Sequence, residues 1–142
     1  MTAGTFYRAT VAGLIATFVM TLTGFWMSGL GLPQLDVGGM IAESTGHGWT
    51  WGNFAHFVNG ALLALIYVQW VRDRLPGNAL VRGIGYGILT TLAAAIVVVP
   101  LAADAGIFFS NTPMPGAMVA ASTVAHLAFG LSLEIAYGVA ER

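Results

Sequence analysis

The sequence predicts an all-α integral membrane protein: a four-helix bundle built from a tandem duplication of a two-helix unit, both termini cytoplasmic. Three observations carry this. The chain of 142 residues is 57% hydrophobic and only 8% charged, whereas soluble domains carry about 25% charged residues. Four apolar stretches, 8–30, 51–71, 79–101 and 117–139, reach the roughly 20 residues a helix needs to cross a bilayer. All five cations are arginines, and they cluster at one set of span ends.

Span one opens at Arg8, behind Phe6 and Tyr7. It is too long for the apolar core of a secretion signal, and no small-residue cleavage site follows, so it reads as a retained span. Trp70 lies near the end of span two, with Arg72, Arg74 and Arg82 before and into span three. Arg142 closes the chain after span four. The positive-inside rule then puts both termini and the middle loop in the cytoplasm. Trp26, Trp49 and Trp51 mark the opposite interface, where amphipathic rings favour the headgroup level. No stretch alternates polar with apolar at period two, which argues against a barrel. Helices are the other way to satisfy backbone hydrogen bonds in lipid. The outer loops, GLPQLDVGGMIAESTGHGWTWG and AADAGIFFSNTPMPG, lack Lys and Arg. Each follows a proline with an aspartate, Pro33 with Asp36 and Pro100 with Asp104.

The duplication is read from recurring landmarks over repeats 8–74 and 79–142. RATVAGLIAT opens span one and RGIGYGILTT opens span three. AHFVNGALLALIY in span two matches AHLAFGLSLEIAY in span four: Ala-His, three residues, Gly, six residues, Tyr. Two such units in one orientation imply a pseudo-two-fold axis along the membrane normal. On a helix, His56, Asn59, Gly60, Leu63 and Tyr67 share a face, as do His126, Phe129, Gly130, Leu133 and Tyr137. These faces are expected to turn inward. Small residues at Gly13, Gly60, Gly83, Gly87 and Gly130 let helices approach closely.

A net charge of −1 leaves no basic surface for nucleic acid. The chain has no cysteine, which excludes disulfides and thiolate chemistry. No nucleophile elbow, phosphate loop or dinucleotide fingerprint is present, so no catalytic residue is assigned. Chemistry therefore rests on His56 and His126. Ionisable residues inside a membrane are costly and point to function. As a facing pair they suit axial ligation of a b-type haem, or contact with a quinone or pigment. The bland reading is that each imidazole bonds across a helix interface. Against haem, the outer half offers no cation for the propionates. A metal set of His56, His126, Asp36 and Asp104 suits imidazole and carboxylate ligation. The alternative is that both aspartates cap short helices or turns. Met40, Met114, Met118 and His47 make no motif, and His47 reads as solvated. Glu134 reads either as a proton-relay carboxylate or as one that snorkels or pairs with an arginine. Neither haem nor metal is favoured.

The motifs R…GLIATxxMT, LPxLD, AHFxxG, VVPLA and AHLxFG…YG resemble those of a family of small four-span bacterial inner-membrane proteins catalogued only as a domain of unknown function. The resemblance covers nearly the whole chain. It implies the fold and the bacterial inner membrane, and no activity. The expectation for function is a non-catalytic accessory or structural subunit of a larger membrane assembly, of respiratory or photosynthetic type. Its partners would be the lipid bilayer and other membrane subunits or further copies of itself. A cofactor-binding electron-transfer protein using the two histidines is the alternative. A small channel or carrier through Thr17, Asn59, Glu134 and the histidines is the second.

Overall fold

A computed structural model describes residues 1–103 and 105–140. Asp104 and Arg142, both invoked above, lie outside the described residues. The described residues are helical with short connections and contain no strand. Four helices are long and apolar enough to cross a membrane: Ala3–Leu30, Trp49–Arg74, Ala79–Leu101 and Pro115–Ala140.

The first, α1 (Ala3–Trp26), starts where Thr2 accepts from the Thr5 amide at 3.2 Å, an N-cap that satisfies one orphan donor. It runs on through a 3-10 turn, Met27–Leu30, and stops at Gly31, whose φ of 72° is costly for other residues. The segment that follows then folds into a short helix, α2 (Val37–Thr45), capped by Asp36 and terminated at Gly46. The second long helix, α3 (Trp49–Ile66), continues through a π turn, Tyr67–Val71, and a 3-10 turn, Arg72–Arg74. The third, α4 (Ala79–Ala93), is capped by Asn78, and a π turn, Ala94–Val98, joins it to α5 (Val99–Ala103). Pro100 lacks the amide hydrogen that an unbroken α-helix would aim at the Ile96 carbonyl, a sufficient cause for that irregularity. A 3-10 turn, Ile107–Phe109, leads to α6 (Pro115–Ala140). Proline suits that first turn, where its missing donor would have no partner.

The packing order is α3, α1, α6, α4, each helix against the next. At the two outer seams, small residues bring backbones together. Gly60 meets the Thr17 hydroxyl, and a Cβ on Gly13 would stand 2.6 Å from the Ala64 methyl. Gly130 meets the Gly83 carbonyl, and a Cβ on Gly87 would stand 2.8 Å from the His126 carbonyl. Such close approach is how helices gain van der Waals contact when lipid is as apolar as the core. The threonines facing these seams are satisfied within their own helices: Thr17 donates to the Gly13 carbonyl at 2.7 Å and Thr91 to the Gly87 carbonyl at 2.8 Å.

By contrast, α3 and α4, the ends of that series, have almost no close backbone approach. Side chains bridge them at the end carrying Arg8, Arg72 and Arg82. Farther along, the space between them stays open. The helix α2 lies over the distal end of α3, where Gly52 comes up against the Gly38 carbonyl. The outward surface is a belt of large apolar residues, among them Phe18, Leu22, Leu62, Ile88, Leu92 and Ile135. Such a belt is compatible with lipid contact.

Candidate functional site

A cavity of about 160 Å³ fills the distal half of the bundle between α1, α3, α4 and α6. Its walls are mostly apolar, with α2 and Phe109 at the distal end. Asn59 on α3, Ala93 on α4, Val98 in the π turn after it and Ser44 on α2 line it and are themselves exposed, so it opens sideways between α3 and α4 with α2 at the rim. Toward the arginine end Phe129 lines the cavity, and behind it Tyr86, its ring 6.3 Å from that of Phe129, and Tyr67 are buried. The Tyr67 and Tyr86 rings sit 4.5 Å apart, and the Tyr86 hydroxyl donates to the Leu63 carbonyl at 2.7 Å. These contacts tie α4 to α3 where their backbones do not meet.

His56 and His126 line the same cavity. Their hydrogen bonds assign the protons. Thr21 donates its hydroxyl hydrogen to the Thr17 carbonyl at 2.8 Å. It must therefore accept from His56 Nε2, 3.2 Å away. The Ser122 carbonyl can only accept, so His126 Nδ1, 2.8 Å away, donates to it. His56 Nδ1 and His126 Nε2 have no partner among the described residues. Neither is sealed in protein: among the described residues, Arg8 Nε is the one fully buried side-chain polar atom without a partner. In the neutral ring each free nitrogen is a hydrogen-bond acceptor.

Asn59 differs from the inward position read from periodicity. The buried stripe of α3 runs through Gly52, His56, Gly60 and Ala64, strictly at i+4. Asn59 falls at its edge and stands at the cavity mouth, with no hydrogen bond to any described residue. Phe129, three residues after His126 as Asn59 is after His56, is buried.

Phe109 and its neighbour Phe108 hold left-handed backbone, at φ 59° and 52°. Bulky residues rarely adopt it, and the strain costs on the order of 1–3 kcal/mol where the surroundings impose it. Phe109 is only 1% exposed, so burial of its ring against the cavity offsets that cost.

Beyond these aromatic rings lies a second polar cluster. Glu134 on α6 is 1% exposed. It accepts from the Tyr67 hydroxyl at 2.7 Å and from Arg72 Nε at 3.0 Å. It also accepts from Arg82 Nη2 at 2.8 Å. The Arg72 guanidinium lies over the Tyr137 ring, 4.9 Å from its centroid. The carboxylate thus pairs with arginines rather than standing as an open relay. Arg82 is within reach as a span-three arginine. Arg72 arrives from beyond the apolar part of α3, which periodicity did not bring to this face.

Asp36 accepts from the Gly39 amide at 2.9 Å and from Trp49 Nε1 at 3.3 Å, which places it as a cap of α2. Among the described residues, no three His, Asp or Glu gather as a metal set. His47 is exposed, with Nδ1 against the Thr45 carbonyl, and Met114 is exposed, while Met40 lines the cavity. A porphyrin macrocycle needs a far larger space than this cavity, which is about the size that holds a single benzene ring in an engineered core. Among known proteins, no family model, curated sequence or solved structure matches the chain.

Proposed function

We propose that this chain is a multi-pass membrane protein that binds a small, largely apolar ligand entering from the lipid phase between α3 and α4. The observation that carries the reading is the cavity itself: apolar walls, two histidines, and a mouth at the level of the exposed Asn59 and Ala93. Ligand sites are typically concave and apolar with a few placed polar groups. An unpaired amide at that depth of an apolar helix is costly in lipid unless something else hydrogen-bonds to it. Phe129 on the wall, with Tyr86 and Tyr67 stacked in turn behind it, supports a closed-bottomed pocket rather than a path along the axis.

The orientation that fits places both termini and the Arg8, Arg72 and Arg82 end in the cytoplasm of a bacterial inner membrane. The two seams support descent from a duplicated unit. Gly60 against Thr17 and Gly130 against Gly87 are equivalent crossings at a constant offset of 70 residues. Divergence is concentrated at the cavity and the ion cluster, where Asn59 answers to Phe129 and Ala64 to Glu134.

The test is purification in native lipid, followed by solvent extraction and mass spectrometry. A small molecule enriched over bulk lipid, and lost when Ala93→Trp fills the mouth, supports the reading. No enrichment in either protein removes it.

A second reading, the accessory subunit, draws on one feature. Of the four long helices, α3 is the least buried within this chain, and its Trp51, Phe54, Val58, Leu62 and Ile66 form a continuous exposed ridge. That ridge suits a partner helix. Stoichiometric larger subunits, released by a Leu62→Trp change, would support it.

A further inference from the structure

Resting on that ligand-binding reading, we infer that the ligand carries its own hydrogen-bond donor: a single ring bearing a hydroxyl group, of the phenol or hydroquinone class. The argument is one of supply and demand in hydrogen bonds. The cavity accommodates one ring, with room for a tail only through the open side. Its two imidazoles have each committed their proton elsewhere, His56 to Thr21 and His126 to the Ser122 carbonyl. Thr90, also on the wall, donates its hydroxyl to its own helix, 3.0 Å from the Tyr86 and Gly87 carbonyls. Ser122 Oγ stands 3.3 Å from the donating His126 Nδ1 and so keeps its own hydrogen; the wall therefore offers two nitrogen acceptors against one hydroxyl donor. A ligand with only carbonyl or ether oxygens would leave both free nitrogens unmatched. A ring hydroxyl donates to one of them, and a para-dihydroxy ring has a donor for each histidine.

Asn59 adds the complement at the mouth. Its amide offers both a donor and an acceptor, and neither is used by the described residues. A second oxygen on the ring, or on the start of its tail, would meet it there. A purely hydrocarbon ligand would use neither the histidines nor Asn59.

The experiment compares 4-heptylphenol with its methyl ether, 4-heptylanisole, on the full chain in lipid nanodiscs. Binding is followed through the nitrogen resonances of 15N-labelled histidines, with concentrations corrected for partition into lipid. The phenol is expected to bind about tenfold more tightly than the ether, the worth of one good hydrogen bond. It should shift the unprotonated nitrogens of His126 and His56. In His126→Phe with His56→Phe the preference should fall to about onefold while the ether still binds. Equal affinity of the two ligands for the unmodified protein overturns the donor inference and leaves the cavity reading standing. If neither ligand binds to the folded protein, both fail. Should the double variant not fold, the comparison on the unmodified protein decides alone.

Discussion

Arg82 on α4 and Glu134 on α6 meet at 2.8 Å, and the same carboxylate takes Arg72, in the 3-10 turn that continues α3, at 3.0 Å. One acid thus joins the two helices whose backbones stay apart. Removing it leaves two guanidinium groups facing each other near a buried site. Breaking a fully buried pair costs about 3–5 kcal/mol. Here the arginine side chains are 17% and 27% exposed, so part of that cost is relieved by solvent. Glu134→Gln should lower stability by roughly 2–3 kcal/mol on that basis. Thermal unfolding in detergent, read by circular dichroism, measures it. A loss no larger than that of a surface Glu43→Gln control would refute the clamp.

The seam glycines should tolerate nothing larger. Alanine is the better helix former by about 1 kcal/mol, so a glycine in open surroundings should gain from the change. Gly138 has nothing near its missing side chain, whereas Gly130 faces the Gly83 carbonyl and the Gly87 backbone. Gly138→Ala should therefore be neutral or stabilising, and Gly130→Ala destabilising by about 1–3 kcal/mol through overpacking. Parallel melts of the two variants check the sign difference.

The two histidines should differ in tautomer. The hydrogen bonds place the proton on Nε2 of His56 and on Nδ1 of His126. Nitrogen-15 spectra of the ligand-free protein distinguish these forms. Thr21→Val should alter the His56 signal alone and cost about 0.6 kcal/mol, the average for such contacts in membrane helices. Identical tautomers at both sites would contradict the assigned network.

Strain at the distal turn predicts an asymmetric pair of outcomes. Phe108 is 41% exposed and Phe109 only 1%. Phe108→Gly should stabilise the fold by about 1 kcal/mol, since glycine adopts positive φ freely. Phe109→Gly relieves similar strain but removes a buried ring, and should destabilise by about 2–4 kcal/mol. Unfolding temperatures of the two variants should move in opposite directions.

Length and composition were enough to read four long apolar helices, because that signal is local and repeated. The Gly60 and Gly130 positions were legible too, since a small residue four positions from a histidine defines a face. Asn59 was not. Periodicity alone allots a face some 100° wide, and only the neighbours decide whether its edge is covered. Arg72 was missed as a partner of Glu134 because the π turn ahead of it changes its direction. Nor does spacing reveal that α3 and α4 stay apart, which depends on helix order around the bundle. The proton assignments required three-dimensional partners: Thr21 lies 35 residues from His56.

The π turn at Tyr67–Val71 has a genetic consequence. A π turn accommodates one residue more than the α-helical path it replaces, so every later side chain is rotated by about 100°. Deleting one residue there would let α3 continue as regular helix. It would also swing Arg72 away from Glu134 without changing any amino acid in the cluster. A frame-preserving deletion of one codon between 68 and 71 should thus mimic the loss of Arg72. Regaining the residue at any of those positions should act as a suppressor.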